Sequence, residues 1–248
     1  MKYAILGDIH SNLEALTAVL ARAAELKVDS YVCIGDVVGY NSNPHECMEI
    51  LRGLKPEAVI KGNHDDYVAN LQLELYGFNP QAAQAVKWTR SQISEEERLW
   101  LEDLPYTKDV IKPGGVRFQL VHGTLDNPRM WGYIFDRYSA ETCLQYQSMP
   151  LCFCGHTHTP MLYVKSQQEV TASSFEEVRI MPNHKYLVNV GSVGQPRDGD
   201  IRASFATYDT KDNTVALHRV PYDIETCQQK ILDAGLPSRL AERLGYGC

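Results

Sequence analysis

The sequence lacks the long apolar run that a membrane-spanning helix requires. No stretch of about 18 apolar residues occurs anywhere in its 248 residues. The opening segment, MKYAILGDIH, has a single lysine, and its apolar run is too short for a secretory signal peptide. Together these absences predict a cytoplasmic protein that does not enter a membrane.

An excess of positive charge is also missing. Lysine and arginine number 24 against 31 aspartate and glutamate residues, which gives a net charge of −7. Stable binding to a nucleic-acid backbone needs clustered positive side chains, so the sequence predicts no such binding. Small phosphorylated substrates remain compatible with this balance, because a bound metal ion can supply the positive charge.

The seven cysteines do not form the even, regularly spaced set of a disulfide framework. Without an export signal they are predicted to be reduced thiols in buried positions. One pair has a second interpretation, since Cys152 and Cys154 precede His156 and His158 at a spacing that could bind zinc. We favour a buried strand whose cysteines pack as small apolar side chains, because free cysteine is commonly buried.

The first hundred residues alternate between short apolar runs and helical patterns. Three strands are predicted, and they end at Asp8, at Asp36 and at Asn63 with His64. The intervening helices are predicted to start at a capping box of Ser11 and Glu14, and at Asn43 followed by Pro44, with Gly53 just beyond the second helix. This βαβαβ order predicts parallel strands whose carboxyl ends lie along one edge.

The remainder of the chain divides into a helical part and a β-rich part. Residues 66–105 predict a helical elaboration, and strands follow from residue 108. Two short helices, separated by Gly235 and Pro237, are predicted in the tail at 223–245. No linker or repeat interrupts the chain, so we predict one α/β domain over residues 1–248, with two sheets.

Polar side chains directly follow these apolar runs, and each group is accompanied by a glycine. They are Asp8, His10, Asp36, Asn63, His64, His122, His156 and His158. Ligands bind beyond the carboxyl ends of strands in open α/β sheets. In extended backbone, residues i and i+2 point the same way, so Asp8 with His10, and His156 with His158, are predicted to converge.

The residue types indicate a metal site rather than a turn. Two carboxylates, several imidazoles and one amide oxygen exceed the roughly four ligands of a single zinc ion. They suit two divalent ions about 3.5–4 Å apart that share a carboxylate, an arrangement that clamps the attacking and leaving oxygens of an in-line displacement at phosphorus. Oxygen and nitrogen donors without thiolate favour manganese, iron or zinc.

Five short motifs, in this order, resemble those of the calcineurin-like metallophosphoesterases: GDIH at 7–10, GD at 35–36, GNHD at 62–65, HG at 122–123 and GHTH at 155–158. The resemblance implies an αββα fold, in which a two-sheet β-sandwich is flanked by helices. This agrees with the predicted α/β class.

The resemblance also implies roles for the motif residues. Asp8, His10 and His158 would hold one metal, and Asp36 would bridge the pair. The second metal would be held by Asn63, His122 and His156. His64 would be the catalytic residue that protonates the leaving oxygen or stabilises the transition state, and a metal-bridging hydroxide would be the nucleophile.

Two features narrow the activity that the resemblance implies. VVGY follows Asp36, where the serine/threonine protein phosphatases have an arginine-bearing motif, which argues against the alternative of a protein phosphatase. Members that act only as scaffolds have typically lost the histidine of the GNH motif, so His64 favours catalysis over the scaffold alternative. Residues 88–105 and 189–200 resemble segments of small bacterial phosphodiesterases and dinucleoside polyphosphate hydrolases, which predicts a small phosphodiester or a nucleotide as substrate.

Arg197 has two interpretations. It lies in GSVGQPRDGD, whose glycines and proline could simply turn the chain, but an arginine on such a loop could also contact a substrate phosphate. Surface or packing positions are predicted for His45, His184 and His218, and core positions for Tyr76, Trp88 and Trp100. No sequence pattern indicates an oligomeric state.

Overall fold

The computed structural model describes residues 1–76, 78–167 and 169–248. In these ranges the chain forms twelve strands, arranged as two six-stranded mixed sheets, and eight α-helices. The helices flank the two sheets, which confirms the predicted α/β class and the sandwich implied by the motifs.

The first sheet contains the three predicted parallel strands. Its order is β3-β2-β1-β11-β12-β9, in which β1 pairs in parallel with β2, and β2 with β3. The other three strands are antiparallel to their neighbours. The bounds in chain order are β1 Lys2–Leu6, β2 Ser30–Cys33, β3 Ala58–Val59, β9 Glu177–Arg179, β11 Ala203–Asp209 and β12 Thr214–Val220.

The second sheet has the order β4-β5-β6-β10-β7-β8. Its central strands β5, β6 and β10 are parallel to one another, and the outer strands are antiparallel. The bounds are β4 Thr107–Ile111, β5 Arg117–Val121, β6 Leu151–Cys154, β7 Met161–Lys165, β8 Val170–Ser173 and β10 Lys185–Asn189.

Strand β1 shows why the sheets stack between layers of helices. Tyr3 and Ile5 face the second sheet, and the ring of Tyr3 meets that of Phe118 edge-on at 5.3 Å. Ala4 and Leu6 alternate with them and pack on the helical side. A strand that is apolar on both faces is stable only when both are covered, and each fully buried large side chain contributes about 1.5–3 kcal/mol.

The helices cover the outer faces of the sandwich and one of its ends. Helices α1, α2, α3 and α5 pack on the first sheet, and α6 packs on the second. Helices α4, α7 and α8 share a separate cluster that includes Ala85, Ile231 and Leu240. The bounds are α1 Leu13–Glu25, α2 Pro44–Gly53, α3 Asn63–Ala69, α4 Pro80–Gln92, α5 Glu95–Asp103, α6 Arg137–Tyr146, α7 Ile224–Asp233 and α8 Ser238–Leu244.

The predicted capping box of α1 is wrong. The capping residue is Asn12, whose side chain accepts a hydrogen bond from the amide of Ala15. Ser11 lies one residue earlier in a left-handed conformation, with φ of 55°, and its amide donates to the carbonyl of Val37. The turn that leads out of β1 therefore displaces the start of the helix by one residue.

Two further boundaries differ from the sequence interpretation, and three elements were not predicted. Asn63 and His64 do not end a strand, because β3 covers only Ala58–Val59 and these two residues begin α3. Gly53 is the last residue of α2 rather than the residue beyond it. Helix α6 and the edge strands β8 and β9 were not predicted, and all three are short elements that carry many polar residues.

The helical segment predicted at about 66–105 corresponds to α3, α4 and α5, and the side chains of Asn79 and Ser94 cap α4 and α5. Gly77 of this segment lies outside the described residues. Trp88 and Trp100 pack against apolar clusters, but Tyr76 is 86% exposed, so its predicted core position is wrong.

In the part of the chain that the structure describes, no helix is long and apolar enough to cross a membrane.

Candidate metal centre

The predicted site residues follow strands whose carboxyl ends meet at one end of the sandwich. Asp8, Asp36 and Asn63 follow parallel strands of the first sheet, and His122 and His156 follow parallel strands of the second. Backbone hydrogen bonds join these ends, from the amide of Gly155 to the carbonyl of His122, and from that of Val193 to the carbonyl of Gly7.

The ligand-bearing turns are tightly wound rather than extended. Twelve of the described non-glycine residues have a positive φ, and five of them are predicted metal ligands: Asp8, His10, Asp36, His156 and His158. Such conformations cost on the order of 1–3 kcal/mol each and concentrate at functional sites. The prediction that these pairs converge through extended backbone is therefore wrong in its geometry, although the side chains do converge.

Two groups of buried side chains have ligand atoms within 4.8 Å of one another. The first contains Asp8, His10, Asp36 and His158, and the second contains Asp36, His122 and His156. Asp36 belongs to both groups. The amide oxygen Oδ1 of Asn63 lies 3.2 Å from Nε2 of His122 and so adjoins the second group. The structure thus brings all seven predicted metal ligands together, in two groups that share Asp36.

One ring nitrogen of each clustered histidine faces a backbone carbonyl. The distances are His10 Nδ1 to Val38 O 3.1 Å, His122 Nδ1 to Ile34 O 2.9 Å, His158 Nδ1 to Gln195 O 2.6 Å, and His156 Nε2 to Trp131 O 2.9 Å. A carbonyl only accepts, so the facing nitrogen carries the proton. In the neutral ring the opposite nitrogen then presents a lone pair to the cluster, as metal-binding histidines do.

These lone pairs face one another without a proton between them. Nε2 of His10 lies 3.1 Å from Nε2 of His158, which in turn lies 3.2 Å from Oδ1 of Asp8. Three electron-pair donors so close together repel unless a cation lies among them. The residues therefore fit a metal ion, and their nitrogen and oxygen donors suit manganese, iron or zinc.

The second group also attracts positive charge. Burial alone would lower the pKa of His122, but the nearby carboxylates of Asp36 and Asp8 outweigh it and raise that pKa to about 9. Oδ2 of Asp36 is 3.3 Å from Nε2 of His122. A divalent ion would displace the proton from this position, because metal binding requires the deprotonated ring.

Gly155 of the GHTH motif allows the backbone to approach a carboxylate. A β-carbon at this position would overlap Oδ2 of Asp8 and lie 3.3 Å from its Cγ. The next amide, that of His156, donates to both carboxylate oxygens of Asp8, at 3.1 and 3.2 Å. This glycine therefore allows the second sheet to orient a carboxylate that the first sheet supplies.

His64 lies beside the two groups and belongs to neither. Its amide donates to Oδ1 of Asp36 at 2.8 Å, and its ring meets that of His10 edge-on at 4.9 Å. Nδ1 is buried and has no hydrogen-bond partner among the described residues. The carboxylate of Asp65 accepts from the amides of Val37, Val38 and Gly62, so it does not orient the His64 ring.

The alternative zinc site at the cysteines is not formed. Cys152 and Cys154 are buried against α6 on the outer face of the second sheet, and burial raises the pKa of both thiols well above the usual value. His45, His184 and His218 contact Glu97, the carbonyl of Pro182 and Thr207, away from the metal groups.

Sequence reasoning missed two polar residues that support the site from the end of β10. The carbonyl of Gln195 accepts from His158, and its side-chain Oε1 accepts from Arg197 at 2.9 Å. Asn189 donates to the carbonyl of Gly155 at 2.7 Å. The sequence did carry a signal, because polar residues follow this strand as they follow the others.

A pocket of about 850 Å³ opens over the metal groups. Asn63, His64 and His156 reach its surface, and so does Arg197, whose guanidinium lies over the Tyr40 ring at 5.5 Å from the ring centre. The structure therefore places the candidate substrate residue on the wall of the same cavity as the candidate catalytic histidine.

The calcineurin-like phosphoesterase superfamily domain matches residues 1–213. The chain belongs to this superfamily. It is therefore a hydrolase of phosphoric esters from a metal-dependent family, and it has Asp and His clusters that could bind metal.

Relatives cover the whole chain. An uncharacterized protein of Methanocaldococcus jannaschii is 38% identical over 98% of this chain and 97% of its own. The crystal structure of a metallophosphoesterase from Sphaerobacter thermophilus is 36% identical, with a TM-score of 0.85 and full coverage of both chains. A hypothetical protein from Pyrococcus horikoshii shares the fold at 23% identity, with a TM-score of 0.82 over 100% of this chain and 98% of its own.

Proposed function

We propose that this phosphoesterase hydrolyses small phosphodiesters or nucleotides, dinucleoside polyphosphates among them, with two divalent ions of manganese, iron or zinc. The observation that carries the proposal is the pair of buried donor groups that share Asp36 beside the pocket. Asp8, His10 and His158 would complete the first ion's site, and Asn63, His122 and His156 the second's. Two ions so held would act as Lewis acids on the phosphoryl oxygens and supply an activated water.

The protein's own contribution is to fix the ligand geometry before the substrate arrives. Carbonyl groups set the proton position on each clustered histidine, and the left-handed turns hold the side chains inward. No side chain then has to reorganise during the reaction, which is how preorganised sites reduce a barrier.

His64 is proposed to act directly on the substrate. It reaches the pocket, it is held next to Asp36 by its own backbone, and it does not belong to either donor group. An imidazole N–H at this place would protonate the leaving oxygen or donate a hydrogen bond to the charged transition state.

Arg197 is proposed to bind a phosphate oxygen. Gln195 and the Tyr40 ring hold its guanidinium on the pocket wall. A guanidinium fixed in this way offers two parallel N–H donors, the geometry that phosphate oxygens accept best.

The remaining parts of the proposal concern the setting of the enzyme. We propose a cytoplasmic protein whose residues 1–248 form one domain and which binds neither membranes nor nucleic acid stably. The net charge of −7 supports the last point, because it opposes attraction to a polyanion.

A substrate panel with Mn²⁺ tests the function. It should contain p-nitrophenyl phosphate, bis-p-nitrophenyl phosphate, cyclic nucleotides and dinucleoside polyphosphates, with metal content measured on the same sample. We expect turnover of phosphodiesters or nucleotides by protein that holds two ions per chain. A protein that binds two Mn²⁺ ions and hydrolyses nothing in the panel would support a scaffold instead.

A further inference from the structure

One wall of the pocket comes from a part of the chain beyond the matched family domain. Arg239, Leu240 and Arg243 of α8 line the cavity, whereas the family domain ends at residue 213. Packing fixes α8 in this position, because Leu240 and its buried neighbours contact Ala85 of α4 and Ile231 of α7.

The charge of this wall is unusual for the molecule. Among the described residues that line the pocket there are three arginines, namely Arg197, Arg239 and Arg243, and no aspartate or glutamate. In a protein of net charge −7, such a cavity forms a local positive field that attracts and retains anions.

Two of these guanidinium groups have no aspartate or glutamate partner. Among the described residues, no aspartate or glutamate side chain lies within 4 Å of a guanidinium nitrogen of Arg197 or Arg243. Arg197 bonds to Gln195 (Nη2 at 2.9 Å, Nε at 3.3 Å), and Nε of Arg243 donates to the carbonyl of Cys248 at 2.5 Å. Arg239 lies 3.6 Å from Glu242, but its side chain is 59% exposed.

The arginines continue a row of contacts that starts at the catalytic centre. The centre of the His64 ring lies 4.4 Å from that of the Tyr40 ring, and the Arg197 guanidinium lies over the same Tyr40 ring. Burial, and next the positive charge of Arg197, lowers the pKa of Arg243, which places the two guanidinium groups in each other's field. Tyr40 and Cys248 oppose this lowering of the Arg243 pKa but do not cancel it. Like charges held together cost free energy that a bound anion would recover.

We propose that Arg243 and Arg239, together with Arg197, bind a second phosphate group of the substrate. The substrate class is then a phosphoester that carries at least one phosphate beyond the group being cut, as a nucleoside polyphosphate does. This inference rests on the proposed function, because it assumes that the cleaved group lies at the metal groups.

The size and lining of the pocket agree with this class. Its volume of about 850 Å³ suits a small organic ligand. Tyr76, Phe78 and Trp131 also line it and offer aromatic surface on which a nucleobase can stack. Guanidinium groups bind phosphate through paired N–H donors, so two or three of them suit a chain of phosphates.

Competitive inhibition tests the second phosphate site directly. AMP, ADP and ATP differ only in phosphate number, and each is to be tested against bis-p-nitrophenyl phosphate hydrolysis at a fixed concentration of free Mn²⁺. We expect the inhibition constant to fall by about ten- to a hundredfold from AMP to ADP, the usual effect of a charge-assisted contact. In Arg243→Gln, and to a smaller extent in Arg239→Gln, the ratio of the AMP inhibition constant to the ADP inhibition constant should approach one.

Two further variants separate a binding role from loss of folding. Arg243→Lys keeps the charge without the planar fork, so it should retain part of the ADP preference. Arg22→Gln removes an exposed arginine that pairs with Glu25 on α1, outside the pocket, and should keep the full preference. Thermal unfolding of each variant shows whether it is folded.

The outcomes distinguish this inference from the proposed function. If bis-p-nitrophenyl phosphate is hydrolysed but AMP and ADP inhibit equally, or if Arg243→Gln keeps the full preference, the second phosphate site is wrong and the function stands. If no phosphoester is hydrolysed, the proposed function fails. Calorimetric binding of AMP and ADP to the metal-loaded protein then still decides whether the arginines prefer the second phosphate.

Discussion

Gly39 packs directly against the imidazole of His64. A β-carbon on Gly39 would lie 2.9 Å from Cγ of His64 and closer still to its Nδ1, and the φ of Gly39 is 101°. The loop that follows Asp36 thus supports the candidate catalytic ring with bare backbone. This loop is the VVGY segment, which stands where the serine/threonine protein phosphatases have an arginine-bearing motif.

Gly39→Ala is expected to displace the His64 ring and lower kcat by tenfold or more, while both metal ions remain bound. Alanine at a positive φ also costs about 1–2 kcal/mol of stability. Gly114→Ala is the matched control, because Gly114 has φ of 88° and open space around its α-carbon. Steady-state kinetics and metal analysis of both variants measure kcat and the number of bound ions. An unchanged kcat in Gly39→Ala would show that turnover does not depend on the position of the His64 ring.

His64→Ala is expected to lower kcat by about 10²–10⁴-fold, the usual contribution of a positioned acid or base. The metal content should stay at the wild-type value, because His64 belongs to neither donor group. His184→Ala, at a half-buried histidine outside the pocket, is the control. Loss of metal from His64→Ala would instead assign the ring a ligand role.

Gln195→Ala is expected to remove both hydrogen bonds that its side chain accepts from Arg197, and to raise KM by about tenfold because the guanidinium is no longer held in place. The metal site should persist, because His158 bonds to the backbone carbonyl of Gln195, which the substitution keeps. Arg197→Ala should raise KM further, and the double variant should match Arg197→Ala alone. Additive effects in this cycle would contradict the positioning role of Gln195.

Asp36→Asn is expected to weaken both ion sites, because Asp36 belongs to both donor groups. Mn²⁺ at 100 times its dissociation constant should stabilise the wild-type protein by about 2.7 kcal/mol, and chelation should remove this gain. In Asp36→Asn the gain should largely disappear. Thermal unfolding with Mn²⁺ and with EDTA measures it, and a full gain in the variant would show that Asp36 is dispensable for metal binding.

His218 is expected to make stability depend on pH. Burial, followed by the charges of Arg22 and Lys2, lowers its pKa from 6.5 to about 4, so the unfolded chain binds more protons between these values. Its contribution to the free energy of unfolding is therefore complete above pH 6.5 and is lost as the pH falls towards 4. Because the ring is partly exposed, we expect this contribution to the free energy of unfolding to be about 1–2 kcal/mol.

Urea unfolding of the wild-type protein and of His218→Gln, at pH 8 and at pH 5 with EDTA present, measures this effect. The variant should gain stability relative to wild type on acidification. A constant difference between the two proteins would mean that His218 does not change its protonation on unfolding in this range.

The seven candidate ligands and His64 could be predicted because each follows an apolar run, and parallel strands bring their carboxyl ends together. Their local geometry could not be predicted in the same way. The left-handed φ of Asp8 and His156 depends on hydrogen bonds between segments far apart in sequence, such as the one from the His156 amide to the Asp8 carboxylate.

The same limit explains the residues that were missed. Tyr40 and Gln195 act through contacts with Arg197. No spacing in the sequence indicates that Tyr40 meets this distant arginine, or that the Gln195 side chain turns towards an arginine two residues away. Arg243 lies on a helix that an apolar cluster holds against the pocket, so its place depends on tertiary packing. Local pattern predicts which residues end a strand, whereas packing decides which helix covers the site.

Six of the seven cysteines are buried, and burial raises the pKa of each, so their thiols are poor nucleophiles near neutral pH. Cys248 is exposed and lies on the pocket wall beside Arg243. The fold therefore leaves a single readily labelled sulfur at the cavity mouth. A fluorophore attached there would report pocket occupancy with no engineered residue.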